Sequence, residues 1–215
     1  MTDIIQPAIS DYLLAHCTPA DDVLRDLAAE THENLPDEAG MQISHDEGEL
    51  LTMLVRLTGA RLAVEIGVFT GYSSICIARG LPKDGRLLAF DVSEEFTGVA
   101  RRYWARAGVD ELIDLTLGPA VDTVKALSTE PVIDFAFVDA DKTSYPAYYA
   151  ELVPRMRPGG LIAIDNVLRG GRVLDPGTES DRAVSELNDH IVRDDRVESV
   201  MLPVRDGVTL VRKKG

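Results

Sequence analysis

Four acidic side chains each close a short apolar run. Glu65 follows Leu62-Ala63-Val64, Asp91 follows Leu87-Leu88-Ala89-Phe90, Asp139 follows Phe135-Ala136-Phe137-Val138, and Asp165 follows Leu161-Ile162-Ala163-Ile164. A carboxylate in such a place can cap a helix, sit in a solvated turn or meet a ligand. One says little, but four at corresponding places argue for a shared site. Asp139, Asp165 and the amide oxygen of Asn166 make a set of hard oxygen donors that suits Mg²⁺, with Mn²⁺ or Ca²⁺ as alternatives. Lys142, three residues beyond Asp139, can project over the same site as a proton acceptor, or stand as a surface lysine at a helix start. Tyr145 either touches an aromatic acceptor or simply begins a helix.

A turn rich in glycine, Glu65-Ile66-Gly67-Val68-Phe69-Thr70-Gly71, follows the first of these runs. Glycine lets a backbone turn tightly and approach a ligand. The spacing is not that of the dinucleotide fingerprint G-x-G-x-x-G. Asp91 suits the two vicinal hydroxyls of a ribose, and its charge opposes a 2′-phosphate. That leaves NAD and S-adenosylmethionine as candidates.

These residues need a frame. From residue 61 onward apolar runs alternate with helical segments: strands at 61–68, 86–92, 113–118, 133–140 and 160–165, and helices near 73–79, 94–107, 120–127, 144–156 and 180–192. This rhythm means right-handed crossovers and a mainly parallel sheet, whose ligands sit at the carboxyl ends of the strands. Two further strands, 197–204 and 208–212, flank Arg205-Asp206-Gly207 and form a hairpin. The stretch 167–179 has no periodicity and is either a solvated connector or a lid. The first 58 residues read as helices. Ser44 and Glu47 have capping-box spacing. They open a helix with Leu50, Met53, Leu54 and Leu57 on one face, closed by Gly59. The expectation is one domain over 1–215, a helical segment at 1–58 leading into an α/β core at 59–215.

The chain has 215 residues, 45% of them apolar, with 36 acids against 22 bases and a formal charge of −14. Such a balance argues against nucleic acid and anionic membranes as partners. Cys17 and Cys76 make no disulfide framework, and Cys76 lies in the apolar run Ile75-Cys76-Ile77-Ala78. No basic leader opens the chain, so a cytoplasmic protein is expected. His16, His32, His45 and His190 form no zinc-type cluster. Trp104 and Tyr103 read as packing.

Taken together, MQISHDEGELL (41–51), VEIGVFTGYSS (64–74), LLAFDVS (87–93), GPA (118–120), FVDADK (137–142), GGLIAIDN (159–166) and the closing hairpin resemble the cation-dependent O-methyltransferases, the family of caffeoyl-CoA and catechol O-methyltransferases. The resemblance implies a class I methyltransferase fold, a Rossmann-like, mainly parallel seven-stranded sheet ending in an antiparallel hairpin, with S-adenosylmethionine at the first strand ends. It places Glu65, Gly67, Val68 and Ser73 on the methionine side, Ile43 against it through its backbone, Asp91 on the ribose and Ala120 by the adenine. It makes Asp139, Asp165 and Asn166 the metal ligands, Asp139 and Lys142 the catalytic pair, and a homodimer the expected assembly. The acceptor would be a small aromatic vicinal diol. Plant members carry Trp-Asn shortly after the Asp-Asn pair. Here Arg169 stands in that stretch and could meet an acidic group on the acceptor.

Two other readings compete. A short-chain nicotinamide-dependent oxidoreductase would need Tyr-x-x-x-Lys, which no tyrosine here supplies. A non-catalytic binding module would be expected to lose the glycine turn or the oxygen donors, and both are present.

Overall fold

Seven apolar runs pair into one sheet in the computed structural model, which describes residues 5–215. The strands are β1 (Leu62–Ile66), β2 (Arg86–Asp91), β3 (Ile113–Leu117), β4 (Ile133–Val138), β5 (Met156–Ile164), β6 (Val197–Leu202) and β7 (Val208–Lys213). Their spatial order is β3-β2-β1-β4-β5-β7-β6. The first five run parallel, and β7 is antiparallel to both β5 and β6. The expected hairpin is therefore present. Chain order reverses between β1 and β4, which opens a crevice at their carboxyl ends.

The crossover helices are α4 (Tyr72–Gly80), α5 (Glu94–Ala107), α6 (Ala120–Lys125), α7 (Tyr145–Arg155) and α8 (Glu179–Arg193), and α1 (Pro7–Ala15), α2 (Asp22–Asn34) and α3 (His45–Thr58) precede the sheet. Successive strand residues face opposite layers. Ala63, Phe135 and Phe137 pack with Leu51, Val55, Ile75, Ile77 and Trp104. Val64, Ile66, Ala136 and Ile162 pack with Tyr149, Leu152, Leu187 and Ile191. Covered on both faces, these strands need continuous apolar runs rather than alternation. Each fully buried Leu, Ile or Phe contributes about 1.5–3 kcal/mol. Cys76 and Trp104 are both buried in the core, as expected.

Two expectations fail, for physical reasons. The Ser44–Glu47 capping box is not made, because Ser44 caps α3 without a side-chain bond. A complete box instead opens α8, where Thr178 and Asp181 exchange bonds. The buried face of α3 is Gly48, Leu51, Thr52 and Val55, not the Leu50–Met53–Leu54–Leu57 stripe. Small residues decide this. A Cβ on Gly48 would lie 2.8 Å from Cys76 Sγ, and Thr52 Oγ1 donates to the Cys76 carbonyl at 2.8 Å. So α3 meets α4 through its narrowest side, leaving Met53 58% and Leu57 76% exposed.

The segment 167–179 carries local structure of its own. It contains a 3-10 turn, Arg169–Leu174, and the β6–β7 turn holds its start. Val167 N donates to the Gly207 carbonyl at 3.1 Å and Leu168 N to the Asp206 carbonyl at 2.9 Å.

Candidate active site

The crevice at the reversal point is a cavity of about 670 Å³, within the range of small-molecule sites. Ile43, Gly67, Val68, Ser73, Asp91 and Ala120 line one part of it, and Asp139, Lys142, Asn166 and Arg169 line another. The sheet thus gathers ten residues singled out in the sequence. Glu65, Asp165 and Tyr145 lie behind the wall, each buried.

The turn after β1 is held by its neighbours. Gly67 N donates to the Phe90 carbonyl at 2.9 Å, and Asp139 N to the Ile66 carbonyl at 2.9 Å. Gly67 has φ +93, and a Cβ there would lie 2.0 Å from the Asp139 carbonyl oxygen. Only glycine fits this conformation and this approach. Asp91 also shapes the turn. Its Oδ2 accepts from Val68 N at 2.8 Å and Phe69 N at 2.9 Å, and its Oδ1 accepts from Ser93 N at 2.8 Å. Beneath the turn, the Ser74 hydroxyl donates to Glu65 Oε2. Burial pushes the Glu65 carboxyl up to about 8, against the pull of the hydroxyls of Ser73 and Ser74.

At the other end of the cavity, Lys142 Nζ donates to Asp139 Oδ1 and to Tyr145 Oη, both at 2.7 Å. Tyr145 Oη in turn donates to the Asp165 carbonyl at 3.1 Å. Tyr145, 1% exposed, therefore anchors Lys142 from outside the cavity lining. Tyr148 lines the cavity instead, its hydroxyl on Asp141 Oδ1 at 2.6 Å.

Asp165 follows β5 and is fully buried. Its Oδ1 accepts from Asn166 N at 2.6 Å, while its Oδ2 accepts no hydrogen bond. Burial, then the charge of Asp139, pushes its carboxyl up to about 7. Asn166 has φ 55, a left-handed conformation that asparagine tolerates. A buried carboxylate oxygen without a donor, a second carboxylate and an amide make an all-oxygen set that fits a hard divalent cation. Among the described residues no three His, Cys, Asp or Glu gather to hold a metal. Here the third donor is an amide. Arg169 lines the cavity, with Nε 3.3 Å from Asp181 Oδ1 and Nη2 3.4 Å from Ser180 Oγ.

Sequence reasoning missed two residues. Glu47, assigned to a cap, is fully buried and accepts from Arg205 Nη1 at 3.2 Å. Arg205, read only as part of a hairpin turn, lines the cavity and lies 3.8 Å from Asp165 Oδ2. A positive φ of 47 at Arg205 is visible only in the structure.

The O-methyltransferase family model matches residues 15–214. Caffeoyl-CoA O-methyltransferase 2 of Zea mays is 42% identical over 202 residues, covering 88% of this chain and 75% of the maize protein. The structure of the O-methyltransferase TomG from Streptomyces achromogenes, involved in tomaymycin synthesis and solved with S-adenosylmethionine, superposes with a TM-score of 0.85 at 33% identity, covering 97% of this chain and 96% of TomG. An O-methyltransferase from Bacillus cereus, in complex with SAH, gives a TM-score of 0.86 at 31% identity, with 96% and 97% covered. A glycine-lined crevice at a class I strand edge, a matching family model and neighbours solved with this cofactor or with SAH all agree: the chain belongs to the O-methyltransferase family and is an S-adenosylmethionine-dependent enzyme.

Proposed function

We propose that the acceptor is a small aromatic vicinal diol and that methyl transfer to one of its hydroxyls depends on a divalent cation. The observation that carries this is the convergence at one end of the cavity. Asp139 and Asn166 line it beside Lys142, and buried Asp165, whose Oδ2 accepts no hydrogen bond, stands behind them and feels the charges of Asp139 and Lys142. Mg²⁺ suits these donors, with Mn²⁺ and Ca²⁺ as alternatives. When bound, such a cation supplies positive charge that draws in two adjacent oxygens and makes one hydroxyl more acidic.

The chain's own residues do the rest. Asp139, Asp165 and Asn166 would hold the cation. Lys142, held by Asp139 and Tyr145 in the cavity wall, would take the hydroxyl proton at Nζ, and Tyr145 fixes the amine's position. The Gly67 turn, Asp91 and Ser73 place the cofactor so that the methyl faces the acceptor oxygen. The carbon–oxygen bond forms as the carbon–sulfur bond breaks. Most of the rate should come from positioning and charge, since little covalent chemistry falls to the protein. The maize relative's name gives caffeoyl-CoA, whose caffeoyl ring carries a vicinal diol. An acidic substituent on this chain's acceptor would meet Arg169.

An oxidoreductase does not account for the family match. We further propose a homodimer, supported by the apolar stripe of Met53 and Leu57 left bare on α3, and a cytoplasmic location. Among the described residues no helix is long and apolar enough to cross a membrane. The test is mass-spectrometric detection of methylated product from a panel of aromatic diols and monophenols, with Mg²⁺ or with EDTA. Product from diols only, abolished by EDTA, is expected. Methylation that survives EDTA refutes the cation.

A further inference from the structure

We infer that Glu47 is a positioning residue that holds the Arg205 guanidinium off Asp165, and that this pair sets how tightly the site holds a divalent cation. The inference rests on the cation reading above and goes beyond it to two residues that are not ligands.

Arg205 enters from the turn between β6 and β7. Its backbone is fixed there: φ is 47, and the next two residues, Asp206 and Gly207, accept the backbone bonds of Leu168 and Val167. Asp206 also accepts from Gly170 N. Non-glycine residues in left-handed backbone persist only when their surroundings over-determine them. The turn is thus locked to the segment that carries Asp165 and Asn166, and only the side chain of Arg205 has a choice.

Two buried carboxylates lie close to it. Arg205 Nη1 lies 3.2 Å from Glu47 Oε2 and 3.8 Å from Asp165 Oδ2. The first is a hydrogen bond; the second is beyond hydrogen-bond reach but is still a strong charge contact. Arg205 Nη2 reaches the Gly40 carbonyl at 3.4 Å, next to the Met41–Ile43 stretch that lines the cavity. Glu47 is fully buried, and its Oε1 has no hydrogen-bond partner. It has no partner in the cap it was expected to make. Burial, then the charge of Asp165, pushes its carboxyl well above the usual carboxylate range, and the Arg205 guanidinium pulls it back down.

A cation at Asp165 Oδ2 must compete with whatever positive group stands there. Glu47 decides that competition. With its charge present, Arg205 rests on α3 and Asp165 Oδ2 is left for the metal. With its charge removed, the guanidinium is drawn more strongly to the other acids that act on it, Asp165 and Asp139, both proposed metal ligands. Residues of this kind, one step behind the ligands, typically change metal affinity by about 10–100-fold.

The test is the equilibrium affinity for Mn²⁺, read by electron paramagnetic resonance without cofactor or acceptor. Wild type, Glu47→Gln and the double variant Glu47→Gln/Arg205→Met are compared, each checked for folding by thermal melting. Glu47→Gln should weaken Mn²⁺ binding by about tenfold or more. The double variant, which removes the competing guanidinium as well, should return to within about threefold of wild type. A merely structural role for Glu47 would not be rescued by a second substitution in the same cluster. Unchanged Mn²⁺ affinity in Glu47→Gln overturns the proposal, and so does a double variant as weak as the single. If Glu47→Gln does not fold, Glu47→Asp carries the test, and the proposal then requires a loss smaller than tenfold but measurable. A wild-type protein that binds no Mn²⁺ overturns the cation reading itself, a result distinct from the other failures.

Discussion

Gly67→Ala probes a place where the cofactor turn and the chemical end of the site touch through backbone. The new Cβ would lie 2.0 Å from the Asp139 carbonyl oxygen and 2.7 Å from its carbonyl carbon. Relief needs the turn or the end of β4 to move by about 1 Å, because carbon and oxygen do not pack closer than about 3 Å. The conformation is costly as well, since φ is +93 and a strained backbone of this kind costs about 1–3 kcal/mol. Overpacking adds about 1–3 kcal/mol, while alanine recovers about 0.4–1 kcal/mol through the unfolded chain. The net loss is about 1–5.5 kcal/mol, or a fall in Tm of about 3–20 °C for a chain of this size. The movement also strains the Asp139 N to Ile66 carbonyl bond, so cofactor affinity and turnover should fall together. The assay is thermal melting with and without S-adenosylmethionine, plus calorimetric cofactor binding. Gly98→Ala is the control: it lies inside α5, and a Cβ there meets nothing within 4 Å. It should stabilise by about 0.5–1 kcal/mol. A Gly67→Ala protein that melts within about 2 °C of wild type and binds cofactor equally well refutes the steric reasoning.

Asp139→Ala removes both a proposed ligand and the acceptor of the Lys142 bond, so turnover should fall by at least about 100-fold, measured as product by mass spectrometry at saturating Mg²⁺. Near-normal turnover would remove Asp139 from the mechanism. Lys142→Ala should lower kcat by about 10²–10⁴-fold with cofactor affinity nearly unchanged in calorimetry, and an unaltered kcat would dismiss the proton-acceptor role. Glu65 is raised by burial from 4.5 to about 8, so the folded protein binds its proton more tightly than the unfolded chain. The stability it provides is complete below about pH 4.5 and is lost as pH climbs through 8. Glu65→Gln should flatten that part of the Tm-against-pH curve, and an unchanged slope would show that another group carries it.

The parts of the fold that were legible are those fixed by short-range chemistry. Helix α5 runs from Glu94 to Ala107 as its spacing indicates, because Ser93 accepts from Phe96 N at the start and Gly108 closes it in left-handed backbone. The strand-end acids were legible because burial on both faces forces apolar runs, which leaves a charge nowhere to stand but the edge. The rotation of α3 was not legible. It depends on Gly48 meeting Cys76 across 28 positions of sequence, and the leucine stripe points the other way. Tyr145 was ambiguous for a similar reason. Its hydroxyl is fixed by Lys142 and the Asp165 carbonyl, and nothing near it in sequence announces either.

Glu47 shows where local rules mislead. Ser-x-x-Glu before an apolar run is a sound signal for a capping box, yet Ser44 makes no cap bond and Glu47 is turned into the protein. A cap contributes about 1 kcal/mol. A buried carboxylate left without a counter-charge would cost several times that, so the local bond yields to the ion pair with Arg205 only because the hairpin brings the guanidinium to it. The same logic runs through the site. Asp91 satisfies two backbone donors of the cofactor turn and Ser93 N after β2, and Asp139 fixes Lys142. Each acid that faces a ligand also holds a piece of chain in place. Loss of activity on deleting one of them therefore does not by itself identify a ligand. The informative variants are those that separate the two duties, by rescuing a charge balance as at Glu47 and Arg205, or by moving backbone alone as at Gly67.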